Sequence, residues 1–190
     1  RRPIIVTHAK PDGDAIGSSA AMFHFLGLCG KQDRLLVLND NCPRFLGFIR
    51  ESIPQEALII REESQQKAFD AIEQADLIIC LDFHAFHRTG CLEKPLAESK
   101  AKKILIDHHL DPDRSLYDIS FSQNDISSAS ELVFWILMAT PQINGNAEKF
   151  PPAGATALMT GMTTDTNNFG NSVYPSTLTM ASELLRAGVD

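Results

Sequence analysis

Apolar residues in this chain come in short unbroken runs rather than in alternation: "PIIVTH", "RLLVLN", "ALIIR", "LIICLDF", "KILIDHH" and "LYDISFS". Strands buried on both faces read this way, because neither face is left for polar side chains. Between and after them lie stretches of helical period: residues 15–29, a short one near 69–75, then "SASELVFWILMA", "PAGATALMTGM" and a last one over 175–187. Strand and helix alternate in a βαβ rhythm. This predicts an α/β fold, a doubly wound and mostly parallel sheet flanked by helices. The Pro-, Gly- and Asn-rich residues 140–152 read as the clearest loop.

In such sheets ligands bind beyond the carboxyl ends of the strands. The polar residues fall there. His8 ends the first apolar run, with Asp12 and Asp14 just after it; Asp82 ends "LIICLD"; Asp107, His108 and His109 end "KILIDHH"; Asp165 ends "ALMTGMTTD". Any one of these reads equally well as turn chemistry or capping. Their convergence from four segments points instead to a metal site.

Asp12 and Asp14 stand two apart, so on a locally extended chain both side chains point the same way, and the residues from Ala15 onward can start a helix capped by an Asp. Two like charges this close raise each other's pKa unless a cation sits between them. His8, Asp12, Asp14, Asp82, His108 and Asp165 mix nitrogen and oxygen donors without a thiolate. That set suits manganese, magnesium or cobalt better than structural zinc, and its carboxylates balance two divalent cations. Adjacent side chains on an extended backbone point to opposite sides, so His108 and His109 should have different jobs.

Composition narrows the reading further. With 190 residues, 44% of them hydrophobic, the chain suits one globular domain with a real core. It begins at Arg1 and stops just after an amphipathic segment and Gly188, so residues 1–190 are expected to be a piece of a longer protein. No apolar run approaches the roughly 18 residues of a membrane span, and a signal peptide's zones are missing, which leads to the expectation of a soluble cytoplasmic protein with no membrane partner. A formal net charge of -7 argues against salt-driven binding of duplex DNA but not against a small anion held by metals. Cys29, Cys42, Cys80 and Cys91 lack metal-ribbon spacing and read as reduced thiols.

Several residues invite a plainer reading. His84 and His87 are expected to be loop or surface residues, and His24 a satisfied histidine within a helix. Phe23, Phe25, Phe134 and Trp135 belong with core packing. "DISSASE", with Ser128, reads first as a helix N-cap and second as a place for a phosphate on free N–H groups. Asn167 and Asn168 either contact substrate or make the turn after Asp165.

"THAKPDGDAIGS", "LDFHAFHRTG", "LIDHH" and "TGMTTDTNNF", in this order and spacing, resemble the four motifs of the DHH phosphoesterase superfamily, with a nearer likeness to its bacterial oligoribonuclease, phosphoadenosine phosphate phosphatase and exopolyphosphatase-related branch. The resemblance implies that His8 and Asp12 bind one metal, that Asp14, His108 and Asp165 bind another, and that Asp82 bridges both. Asp107 would orient a histidine, while His109 and Arg88 would face the phosphate. Apart from the resemblance, the readings of "DISSASE" and of the turn after Asp165 make Ser128 and Asn168 the candidate substrate contacts. It also implies two divalent ions, foremost manganese, activating water to cleave phosphoesters of short RNA or a nucleotide phosphate. Other members cleave cyclic dinucleotides, polyphosphate, pyrophosphate or single-stranded DNA, and a metal-sensing module without turnover is a further alternative. A homodimer is one assembly open to such a protein. The family's second, substrate-holding domain carries a glycine-rich stretch, and no two glycines are adjacent here, so that domain is expected to be absent from this chain.

Overall fold

A computed structural model describes residues 2–190. The strands are β1 (Pro3–Thr7), β2 (Leu35–Leu38), β3 (Leu58–Ile60), β4 (Leu77–Leu81), β5 (Lys102–Asp107) and β6 (Ile119–Ser122). They form one sheet in the order β3-β2-β1-β4-β5-β6, and every pairing is parallel rather than most of them. The helices are α1 (Gly13–Leu28), α2 (Gly47–Glu51), α3 (Gln65–Gln74), α4 (Glu93–Glu98), α5 (Ala129–Met138), α6 (Pro152–Asp165) and α7 (Pro175–Arg186). The short α2 and α4 have no counterpart in the sequence expectations. At five and six residues they are too short to display a helical period.

The apolar runs are continuous because helices cover both faces of the sheet. Ile5, Leu36, Ile79 and Ile106 point into one layer with Phe23, Phe134, Leu158 and Met180. Their chain neighbours Ile4, Val37, Ile78 and Leu105 point into the other with Ile72, Phe83, Leu92 and Leu96. Each such side chain contributes about 1.5–3 kcal/mol by leaving water. Phe23, Phe25 and Phe134 are buried as expected, and Trp135 packs partly buried at the margin. His24 is satisfied by the Ser52 hydroxyl at 2.9 Å.

α1 and α6 lie against each other along a seam of small residues. A Cβ on Gly17 would come within 2.5 Å of the Ala157 carbonyl oxygen and 2.9 Å of Gly161 Cα. The close approach sets two acid-bearing ends side by side, the start of α1 and the end of α6. The sheet order reverses between β1 and β4, and such a switch point opens a crevice at the strands' carboxyl ends.

Candidate metal centre

The ends of β1 and β4 are tied together: the Thr7 hydroxyl donates to the Leu81 carbonyl at 2.8 Å. The residues that follow, His8 and Asp82, therefore emerge side by side, with His8 Nε2 3.4 Å from Asp82 Oδ2. Asp82 sits in the left-handed region at φ 63, and its N–H donates to the Ile106 carbonyl at 3.1 Å. A non-glycine residue held there is strained by about 1–3 kcal/mol, a cost met mostly at functional sites.

Asp12 is the N-cap of α1 and accepts from the N–H groups of Asp14 and Ala15 at 3.1 and 3.0 Å. Asp14 already lies in the first helical turn, so the pair does not sit on one extended segment as the sequence expectation had it. Helix geometry turns the two carboxylates apart. Asp12 reaches within 3.8 Å of His8 Nε2, and Asp14 reaches within 3.9 Å of His108 Nε2.

Asp14 has a second set of partners. Its Oδ2 and Oδ1 accept from the N–H groups of Ala129 and Ser130 at 2.6 and 2.8 Å, at the first turn of α5. The anion at this helix end is thus a carboxylate of the chain itself, and a phosphate does not have those donors free. Ser128 performs the capping role, its buried hydroxyl accepting from the Glu131 N–H at 3.0 Å. With no exposed surface, Ser128 does not present its side chain to a substrate.

β5 ends at Asp107, so strand alternation does not extend to the two histidines. Their rings lie on the same side, with centroids 4.7 Å apart, rather than on opposite sides. Both face Asp82 Oδ1, His109 through Nδ1 at 3.7 Å, and their other partners differ. His108 Nε2 stands 3.6 Å from Asp82 Oδ1 and 3.7 Å from Asp165 Oδ2, while His109 Nδ1 bonds Asp107 Oδ1 at 2.7 Å. Asp165 is the last residue of α6 and not part of the loop beyond it.

The six side chains assigned to metal thus come together as two groups, His8–Asp12–Asp82 and Asp14–His108–Asp165. Asp82 joins them, with Oδ2 toward the first and Oδ1 toward the second. Asp82 Oδ1 is buried and has no hydrogen-bond partner. The separations of 3.4–3.9 Å are too long for hydrogen bonds, whereas donors about 2.1 Å from a shared ion stand roughly 3–4 Å apart. These residues fit divalent ions.

The electrostatics agree with that fit. Burial, then the charges of Asp82 and Asp165, push the Asp14 carboxyl well above the usual carboxylate range. Asp165 is pushed up by burial and by Asp82 and Asp12. Burial opposes charge on His8, yet Asp12 and Asp82 beside it hold its pKa up at about 10. His108, opposed by burial in the same way, is carried up to about 9 by Asp82, Asp14 and Asp165. Alone, the cluster holds protons to offset its charge; a divalent cation held there would replace those protons.

Arg88 is exposed on the turn Phe86–Leu92, and its carbonyl accepts from the Ala9 N–H at 2.8 Å. Its guanidinium makes no ion pair among the described residues. Asn167, Asn168 and Phe169 are successively left-handed, held over buried Thr166, whose hydroxyl accepts from the Phe169 N–H at 3.1 Å. Asn168 therefore makes the turn and is exposed beside Asp165. His87 is exposed as expected, but His84 is half-buried and groups with Asp107 and His109. By sequence His84 is a loop residue; its place two positions after Asp82 was the available signal.

A six-stranded parallel α/β domain with carboxylates and imidazoles gathered at its switch point defines a metal-binding domain with the donor chemistry of hydrolases. Residues 2–162 match the DHH family, N-terminal domain, and the chain belongs to that family of phosphoesterases. It is 28% identical over 196 residues to the bifunctional oligoribonuclease and PAP phosphatase NrnA of Mycoplasma genitalium, an alignment covering 98% of this chain and 54% of that protein. It is 23% identical over 189 residues to the cyclic-di-AMP phosphodiesterase PdeA of Listeria monocytogenes, covering 98% of this chain and 28% of that one. A crystal structure of an exopolyphosphatase-related protein from Bacteroides fragilis superimposes with a TM-score of 0.88 at 36% identity, covering all of this chain and 53% of that chain. The chain thus spans about half the length of two of these proteins and less of the third. Among the described residues no helix is long and apolar enough to cross a membrane.

Proposed function

We propose that this domain carries the two-ion centre of a cytoplasmic, manganese-dependent phosphohydrolase acting on short oligoribonucleotides and on 3'-phosphoadenosine 5'-phosphate. The observation that carries the reading is Asp82, whose oxygens face separate ligand groups from a strained backbone position. His8, Asp12 and Asp82 would hold one ion; Asp14, Asp82, His108 and Asp165 would hold the other. When bound, divalent ions supply Lewis-acid stabilisation of phosphoryl oxygens and lower the pKa of water.

The chain's own residues do the rest. Asp107 accepts from His109 Nδ1, and this bond, outweighing burial, raises the histidine's pKa. This favours the cationic form of His109, whose Nε2–H, directed away from Asp107, would donate to a phosphoryl oxygen. Arg88, exposed and without an ion pair among the described residues, supplies a second cation to the same group, and Asn168 lines the approach. The net charge of -7 favours small substrates over long duplexes, and the likeness to NrnA supports short RNA and PAP. A second reading, cleavage of a cyclic dinucleotide, is supported by the likeness to PdeA.

The test offers this protein, with manganese, a two-nucleotide RNA, phosphoadenosine phosphate, a cyclic dinucleotide and pyrophosphate side by side. Turnover of the first two, lost by at least about 100-fold in Asp82→Ala, is expected. Turnover of only the cyclic dinucleotide would move the assignment to the second reading. Unchanged activity in Asp82→Ala would end the two-ion scheme.

A further inference from the structure

We infer that His84, Asp107 and His109 form a third cation site, for a transition metal such as zinc or cobalt, beside the two-ion centre. One ligand atom from each lies within 4.8 Å of the others. Asp107 is fully buried and its Oδ2 has no hydrogen-bond partner, and His84 Nδ1 is likewise buried without one. A buried polar atom left without a partner costs about 1–3 kcal/mol, so two of them in one cluster call for a cause. Neither belongs to the ligand groups of the two-ion centre.

The local backbone holds the cluster in place. The loop after β4 is pinned by the Asp113 N–H, which donates to the His84 carbonyl at 3.3 Å. The His84 ring stands 5.9 Å from that of His109, and Asp107 is the last residue of β5. Two imidazoles and one carboxylate suit zinc, cobalt or nickel, whereas magnesium and calcium favour all-oxygen sets. Three protein donors leave a position open to solvent.

Occupancy has a cost for His109. Its Nδ1 now shares a proton with Asp107 at 2.7 Å. Ligation through Nδ1 releases that proton to solvent, and the ring then carries no charge of its own. His109 cannot both ligate there and act as a cation held by Asp107. The site is therefore inhibitory, a consequence that rests on the phosphohydrolase reading above, whereas the site itself does not.

The test strips the protein with a chelator, dialyses it against excess Co2+ and counts bound ions by elemental analysis, for wild type, His84→Ala and His84→Cys. The difference between wild type and His84→Ala reads the third site; the number remaining in His84→Ala reads the two-ion centre. A difference of one ion, restored in His84→Cys with a thiolate-to-cobalt charge-transfer band, is expected. No difference overturns the third site and leaves the two-ion centre standing. Fewer than two ions remaining in a folded His84→Ala sinks the two-ion centre without touching the difference. In turnover assays, the zinc concentration that inhibits should rise at least about 10–100-fold in His84→Ala, since losing a ligand costs no less than losing a group that merely orients one. An unshifted zinc response would overturn the inhibitory role.

Discussion

Replacing Gly17 by alanine tests the idea that the α1–α6 seam positions the metal centre. A Cβ there would meet the Ala157 carbonyl oxygen at 2.5 Å and Gly161 Cα and N at 2.9 Å. Ordinary contact begins near 3.4 Å, so the helices must part by close to an ångström, and no flexible side chain can yield instead. Overpacking of this kind costs about 1–3 kcal/mol, and backbone neighbours place it near the upper end. Alanine returns up to about 1 kcal/mol through helix propensity. The net expectation is a loss of about 2 kcal/mol, or a Tm lower by about 4–8 °C for a domain of this size. Urea denaturation measures it, with Gly47→Ala as the control, since a Cβ at Gly47 meets nothing within 4 Å. Because α1 carries Asp14 and α6 carries Asp165, affinity for manganese should fall together with stability. If Gly17→Ala matched wild type in both, the seam would not be what holds these two carboxylates at their separation.

Two further outcomes follow from the same geometry. In metal-free protein, the stability contributed by His8 and His108 is fully present below their ordinary pKa of 6.5 and is lost as pH rises through about 9 and 10. The raised carboxyls of Asp14 and Asp165 act in the same sense, while Asp12, lowered to about 2 by His8 and backbone N–H groups against the effect of burial, matters only in acid. Thermal melts in chelator should therefore fall in Tm from about pH 6.5 upward, and manganese should abolish the slope by binding the deprotonated ligands; a flat metal-free profile would contradict this. Glu131 is buried and accepts from the Ser127 N–H and hydroxyl, and from the Thr177 hydroxyl at 2.7 Å, tying α5 to α7. Glu131→Ala leaves these donors without a partner and should cost about 3 kcal/mol in urea denaturation; a loss below about 1 kcal/mol would count against the network.

The order of elements was legible because both faces of the sheet are covered. A strand that must be apolar on both sides, such as Leu77–Leu81, cannot be mistaken for a solvated one, and its polar successor Asp82 marks where the sheet stops. The same logic exposed His8 and the Asp107–His109 run, since charged groups past the end of a buried strand need a reason. Helices longer than two turns were visible in the same way, and α2 and α4 were not, because a single turn has no period to detect.

Local rules failed where backbone conformation changes within a few residues. Two-residue spacing suggested that Asp12 and Asp14 point together, but the helix begins between them and sends Asp14 to the N-terminus of α5, more than a hundred residues on. Alternation suggested that His108 and His109 diverge, but the strand had already ended. His84 looked like a loop residue because its partners, Asp107 and His109, are brought to it only by the pairing of β4 with β5. The sequence by itself determined which residue types stand at the ends of which elements, since burial dictates polarity one position at a time. Only the tertiary structure decided which of them come within reach of one another, because that depends on distances between atoms far apart in the chain.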